Sequence, residues 1–141
     1  MLIIFLVMML AVIIAVSIHY LVLIVATRML DQFHGRHPAS IILTLLLAVF
    51  AHILEILLFA VAWQLLYQLE LIEFSIANPN FYDLIYFSGS TFTTVGYGDI
   101  TLIHEGRIAA VVEGVLGLVL ITWTASFSYL EMNRKWIHHE A

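Results

Sequence analysis

The stretch STFTTVGYGDIT, Ser90 to Thr101, is the least hydrophobic run between two apolar segments, and its reading decides the fold. It sets hydroxyls at Ser90, Thr91, Thr93 and Thr94 ahead of a valine, then Gly96, Tyr97, Gly98 and Asp99. The preceding YDLIYFSGSTFTT supplies about three turns of helix, too short to cross a bilayer. A re-entrant segment reconciles these features: a helix descends from Phe81 to Thr93, and extended chain returns through Thr94 to Asp99. NPNF, Asn78 to Phe81, marks its start, with Asn80 as the cap and Pro79 kept out of the helix interior. Non-helical backbone at membrane depth carries unsatisfied amides and carbonyls, so it persists only where protein surrounds it or where it lines a wet cavity. One small chain cannot enclose such a segment, whereas several copies around an axis can.

The rest of the chain fits that setting. With 63% hydrophobic and 11% charged residues among 141, the chain cannot make a soluble globular surface and belongs in a bilayer. Three segments reach the roughly 20 apolar residues that a span needs: Leu2 to Thr27, Ile41 to Leu69 and Ile108 to Leu130. The first is read as a retained helix. Although Ala15 to Ser17 mimics a cleavage site, no basic region precedes the segment, and the apolar run continues through IHYLVLIVA. The absence of cysteine removes thiolate chemistry, and a net charge of -5 with scattered arginines argues against nucleic-acid binding. No paired acids and no nucleophile beside a base point to an enzyme, and no organic cofactor is expected.

Loop charges set an expected orientation. Arg28 and Arg36 flank the first connection, and Arg134 and Lys135 follow the last span. The connection from Glu70 to Glu105 holds five acids and neither lysine nor arginine. It is therefore expected outside, with the N-terminus outside and the C-terminus cytoplasmic; Arg107 is a mild objection.

TTVGYGD, Thr93 to Asp99, resembles the selectivity-filter signature of the potassium channel family, and GRIAAVVEGVLG, Gly106 to Gly117, is similar to the start of that family's inner helix. The likeness runs from Ile41 to the C-terminus. It implies an all-α membrane protein with three transmembrane helices, a re-entrant pore helix and a filter loop, assembled as a homotetrameric potassium-channel pore. The expected parts are an additional N-terminal helix (1–30), a cytoplasmic loop (31–40), a pore domain (41–130) and a short cytoplasmic tail (131–141). Within the pore domain lie the outer helix (41–69), pore helix (81–93), filter (94–98) and inner helix (106–130).

By the same resemblance Thr94, Val95, Gly96, Tyr97 and Gly98 form the filter. The carbonyls of Thr94 to Tyr97, with the Thr94 hydroxyl, hold potassium ions. Asp99 sits at the outer mouth, held by Tyr86 or Phe87 in the place of the family's usual tryptophan; only the tyrosine can hydrogen-bond. Relatives often place a glutamate or valine behind the filter where this chain has Ser90. The chemistry agrees with the likeness, because consecutive carbonyls can replace the water of a weakly hydrated monovalent cation. Glycines 96 and 98 permit the backbone geometry this requires. A subunit of a larger potassium transport complex, or a non-conducting structural or regulatory membrane protein, is the alternative.

Polar groups inside the spans complete the candidates. Glu113 falls at pore-helix depth, where Ser90 or Thr93 are its expected partners. His19, His52 and Glu55 are expected to form either a hydrogen-bonded cluster orienting the first helix or a site sensitive to pH, with zinc the lesser alternative. Gly114 and Gly117 mark a hinge or a close helix contact. Some of Thr122, Thr124, Ser126 and Ser128 are expected to line an inner cavity. His138, His139 and Glu140 form a weak metal candidate. No helix carries the arginine repeat of a voltage sensor. Partners are expected to be further copies of this chain and membrane lipids; a separate regulatory subunit is left open.

Overall fold

The computed structural model describes residues 1–32, 38–104 and 106–137. Its helices are α1 (Leu2–Gln32), α2 (Pro38–Gln68), α3 (Phe81–Phe92) and α4 (Gly106–Ile137). Among the described residues there is no strand, only an isolated antiparallel bridge between Phe74 and Leu102. Three stretches are long and apolar enough to cross a membrane: Leu2–Met29, Ile41–Gln68 and Gly106–Asn133, each of 28 residues. Leucine and alanine favour helix, and no proline or glycine interrupts α1 or the interior of α2.

Two boundaries differ from expectation. α2 starts at Pro38, the first helical position, where the missing N–H costs nothing. α4 runs unbroken to Ile137, so most of the segment read as a tail continues the inner helix. Residues 33–37, within the expected first loop, and His138, His139 and Glu140 lie outside the described residues.

α1 packs on α2 and α4, and α3 sits between α2 and α4. The buried side of α1 is Ile4, Met8, Ala11, Ala15, His19, Leu23 and Ala26, at steps of three and four residues. α2 meets it with further small residues, among them Ala48 and Ala51. Lipid is as apolar as leucine, so close van der Waals packing of small side chains holds such helices together. Around α3 the packing becomes aromatic. Phe87 meets Trp63 and Phe74 edge to face, with ring centroids 5.6 and 5.3 Å apart. Phe92 lies 6.5 Å from Phe59.

Candidate functional site

α3 is fixed at both ends. The Asn80 side chain accepts from the Tyr82 and Asp83 amides at 2.8 and 3.2 Å, and the Asp83 carboxylate accepts from the Asn80 amide at 2.8 Å. This reciprocal cap satisfies three donors that would otherwise be orphaned. At the other end the Thr94 amide donates to the Thr91 carbonyl and the Gly96 amide to the Ser90 carbonyl, both at 3.0 Å. These bonds use amides of the returning loop. The negative end of the α3 dipole points towards the same region, which favours a cation there.

Beyond α3 the backbone alternates in hand. Thr94, Gly96 and Gly98 have φ of 61°, 56° and 82°, while Val95 and Tyr97 between them do not take positive values. Alternation reverses the local curl of the backbone at each step. At Thr94, a β-branched residue, the left-handed backbone is costly, and the two amide bonds hold it in place. Thr93 through Asp99 are all exposed in the single chain.

The outer end is braced twice. Tyr86 Oη donates to Asp99 Oδ2 at 2.9 Å, and its ring stacks on Tyr97 with centroids 6.0 Å apart and planes at 9°. The hydrogen bond to Asp99 pushes the Tyr86 phenol above its ordinary range, so it stays a donor at neutral pH. Phe87, the other aromatic considered for this place, is buried against Trp63 and Phe74. Tyr86→Phe keeps the stack and removes the bond, and is expected to lower the thermal midpoint of the purified protein by a few degrees; an unchanged midpoint would show that Asp99 needs no tether. The second brace joins the chain before α3 to the chain after the loop. Ser75 N donates to Thr101 O at 2.8 Å, Ile103 N to Glu73 O at 2.9 Å and Thr101 N to Ser75 Oγ at 3.0 Å.

Glu113 is fully buried, but its partners differ from those expected. Trp63 Nε1 donates to Oε2 at 2.6 Å, and Ser88 Oγ lies 2.5 Å from Oε1. Ser90 Oγ instead donates to the Phe87 carbonyl at 3.3 Å, and Thr93 Oγ1 to the Gly89 carbonyl at 2.7 Å. The reason is helical phase: Leu84, Ser88 and Phe92 repeat every fourth residue along the buried side of α3, whereas Ser90 and Thr93 fall away from it. Ser90 reaches the loop through its main-chain oxygen. Ser88 Oγ also lies 2.9 Å from the Ile56 carbonyl, yet a hydroxyl has one proton. The count closes when Glu113 donates to Ser88 and Ser88 donates to Ile56.

Gly114 and Gly117 of α4 face α3. A Cβ at Gly114 would lie 3.4 Å from the Thr91 carbonyl oxygen, and one at Gly117 only 2.0 Å from the Phe92 carbonyl oxygen. Both stand in an unbroken helix, packed against the C-terminal end of α3. Further along α4, Thr122 and Ser126 are exposed and bond back to main-chain carbonyls one turn earlier. Thr124 points elsewhere. It meets His52 of α2 and His19 of α1, with its hydroxyl 3.2 and 3.4 Å from their Nε2 atoms. It thus leaves the set expected to line the cavity, and Ser128 is half-buried. The structure brings His19, His52 and Glu55 together, with His19 Nδ1 3.0 Å from Oε1 and His52 Nδ1 2.8 Å from Oε2 of Glu55.

Sequence reading missed Trp63, Ser88, the place of Thr124 and the brace between residues 73–75 and 101–103. The fourfold spacing of Leu84, Ser88 and Phe92 was the available signal for Ser88.

A family model described as "Ion channel" matches residues 41–129, which take in nearly all of α2, all of α3 and its loop, and most of α4. Neither the curated proteins nor the solved structures gave a match. The matched part is more than half of the chain and holds every element that positions the re-entrant loop, with α1 added outside it; the chain belongs to the ion channel family.

Proposed function

We propose that this protein is a homotetrameric, potassium-selective channel that conducts passively through a filter of backbone carbonyls at a four-fold axis. The observation that carries this reading is the TTVGYGD loop at the C-terminal end of α3, with positive φ at every second residue. Thr94 to Tyr97 supply the carbonyls that replace the ion's water, and Gly98 completes the turn towards Asp99. Exposure of Thr93 to Asp99 in one chain supports enclosure by further copies, since bare non-helical backbone is not tolerated in lipid. The charge bias of the loops supports an N-terminus outside and a cytoplasmic C-terminus.

The test is flux from liposomes holding the purified full chain. Potassium is expected to leave much faster than sodium and to be blocked by barium, and a particle mass of four chains is expected in detergent. Equal potassium and sodium flux would overturn selectivity, and a monomer or dimer would overturn the shared filter.

A further inference from the structure

The His19, His52 and Glu55 cluster lies away from the filter and joins three helices at one point. Glu55 and His19 are fully buried, and the His52 side chain is 17% exposed in the single chain. Each carboxylate oxygen of Glu55 faces one Nδ1, and both Nε2 atoms face the single hydroxyl of Thr124 on α4. His19 also lies against Trp123, with ring centroids 5.3 Å apart, and His52 lies 5.8 Å from Phe92 at the end of α3.

Counting protons decides the state of this group. With Glu55 ionised and both imidazoles neutral, each Nδ1–H donates to the carboxylate, and two Nε2 lone pairs then face a hydroxyl with one proton. One nitrogen is left without a donor, and the cluster carries a net negative charge inside the membrane. One more proton repairs both faults. An imidazolium Nε2–H donates to Thr124 Oγ1, Thr124 donates to the other Nε2, and the net charge is zero. Moving that proton onto Glu55 leaves the total unchanged. A second proton gives two N–H donors aimed at Thr124, which can then only accept, and a net positive charge in a medium where unpaired charge is expensive.

We propose that His19, His52 and Glu55 form a proton-binding site that holds one shared proton at neutral pH, and that this proton ties α1 and α2 to α4 through Thr124. The ionisable groups on the surrounding elements leave the count to these three. On α1 the nearest charged residue is Arg28, nine positions from His19; Tyr20 is adjacent in sequence but exposed. α2 has no other charged residue. On α4, Glu131 is seven positions past Thr124, and Glu113 is engaged with Ser88 and Trp63. α3 presents Phe92 here, its Asp83 lying at the far end.

The experiment uses the full chain in liposomes, with ¹⁵N resonances of His19 and His52 and the carboxyl infrared band of Glu55 followed from pH 8 to pH 5. The summed occupancy is expected to be one proton at pH 7, with a second bound by pH 5. In Thr124→Val the bridging hydroxyl is lost, and the two imidazole signals are expected to separate into one charged and one neutral ring. Ionised Glu55 with two neutral rings at pH 7, or signals that do not move over this range, would overturn the site. An effect on conduction rests on the channel reading. Wild-type potassium flux is expected to change severalfold between pH 8 and 5 and to be flat in His52→Gln, whose amide bonds without titrating. The same pH curve in that variant would overturn the coupling, whereas absent flux with the proton count intact would overturn the channel reading alone.

Discussion

Gly117→Ala is expected to abolish ion flux from liposomes while leaving helix content by circular dichroism near that of the parent. The added Cβ would lie 2.0 Å from the Phe92 carbonyl oxygen, 2.7 Å from its carbon and 3.0 Å from its Cα. Ordinary carbon contacts lie at about 3.5 Å, so α3 and α4 must part by more than an ångström. No rotamer change relieves this, because the obstacle is main chain. Overpacking costs about 1–3 kcal/mol even in cores that relax, and here the relaxation moves the residue that leads directly into the loop. Gly114→Ala is the control. Its Cβ would sit 3.4 Å from the Thr91 oxygen, and a shift of a few tenths of an ångström accommodates it, so most flux should survive. Equal flux from Gly117→Ala and the parent would show that the contact between α3 and α4 is dispensable.

Substitutions at Glu113 should rank in the order glutamine, leucine, alanine, from mildest to most damaging. Glutamine reproduces the closed count: its carbonyl accepts from Trp63, and its amide donates to Ser88, which still donates to Ile56. Leucine fills the volume but leaves the buried Trp63 N–H without an acceptor, a loss of about 1–3 kcal/mol. Alanine adds a cavity to that loss. Ser88 is not orphaned in either case, because the Ile56 carbonyl remains in reach. The measurement is the thermal midpoint of the purified protein in detergent. A lower midpoint for glutamine than for leucine would contradict a protonated Glu113.

The loop, the short helix before it and the three spans could be read from sequence because each rests on local chemistry. Asn80, Pro79 and the paired glycines fix backbone geometry by themselves, and a run of apolar residues announces a span. The buried side of α1 could not be read, since that helix is apolar all round and its phase is set by contacts with α2 and α4. His19 was the one marker of it. For Glu113 the depth followed from residue count, but the partner depended on which side of α3 turns inward. Thr124 and Ser126 look alike in sequence, yet one meets two histidines while the other bonds to its own helix. The brace between residues 73–75 and 101–103 joins segments with no alternating pattern, so nothing local announced it.

The length of the spans has a consequence for the lipid around them. At about 1.5 Å per residue, 28 residues reach about 42 Å, against a hydrocarbon core of about 30 Å. With its headgroup regions a bilayer is about 40–45 Å thick, so the charged ends of these segments, at Arg28, Arg107 and Glu131, fall at headgroup level. Tilt then brings the apolar middle of each span into register with the hydrocarbon. The match between span length and bilayer thickness is thus a term in the stability of the protein, and thicker membranes suit these spans better than thin ones.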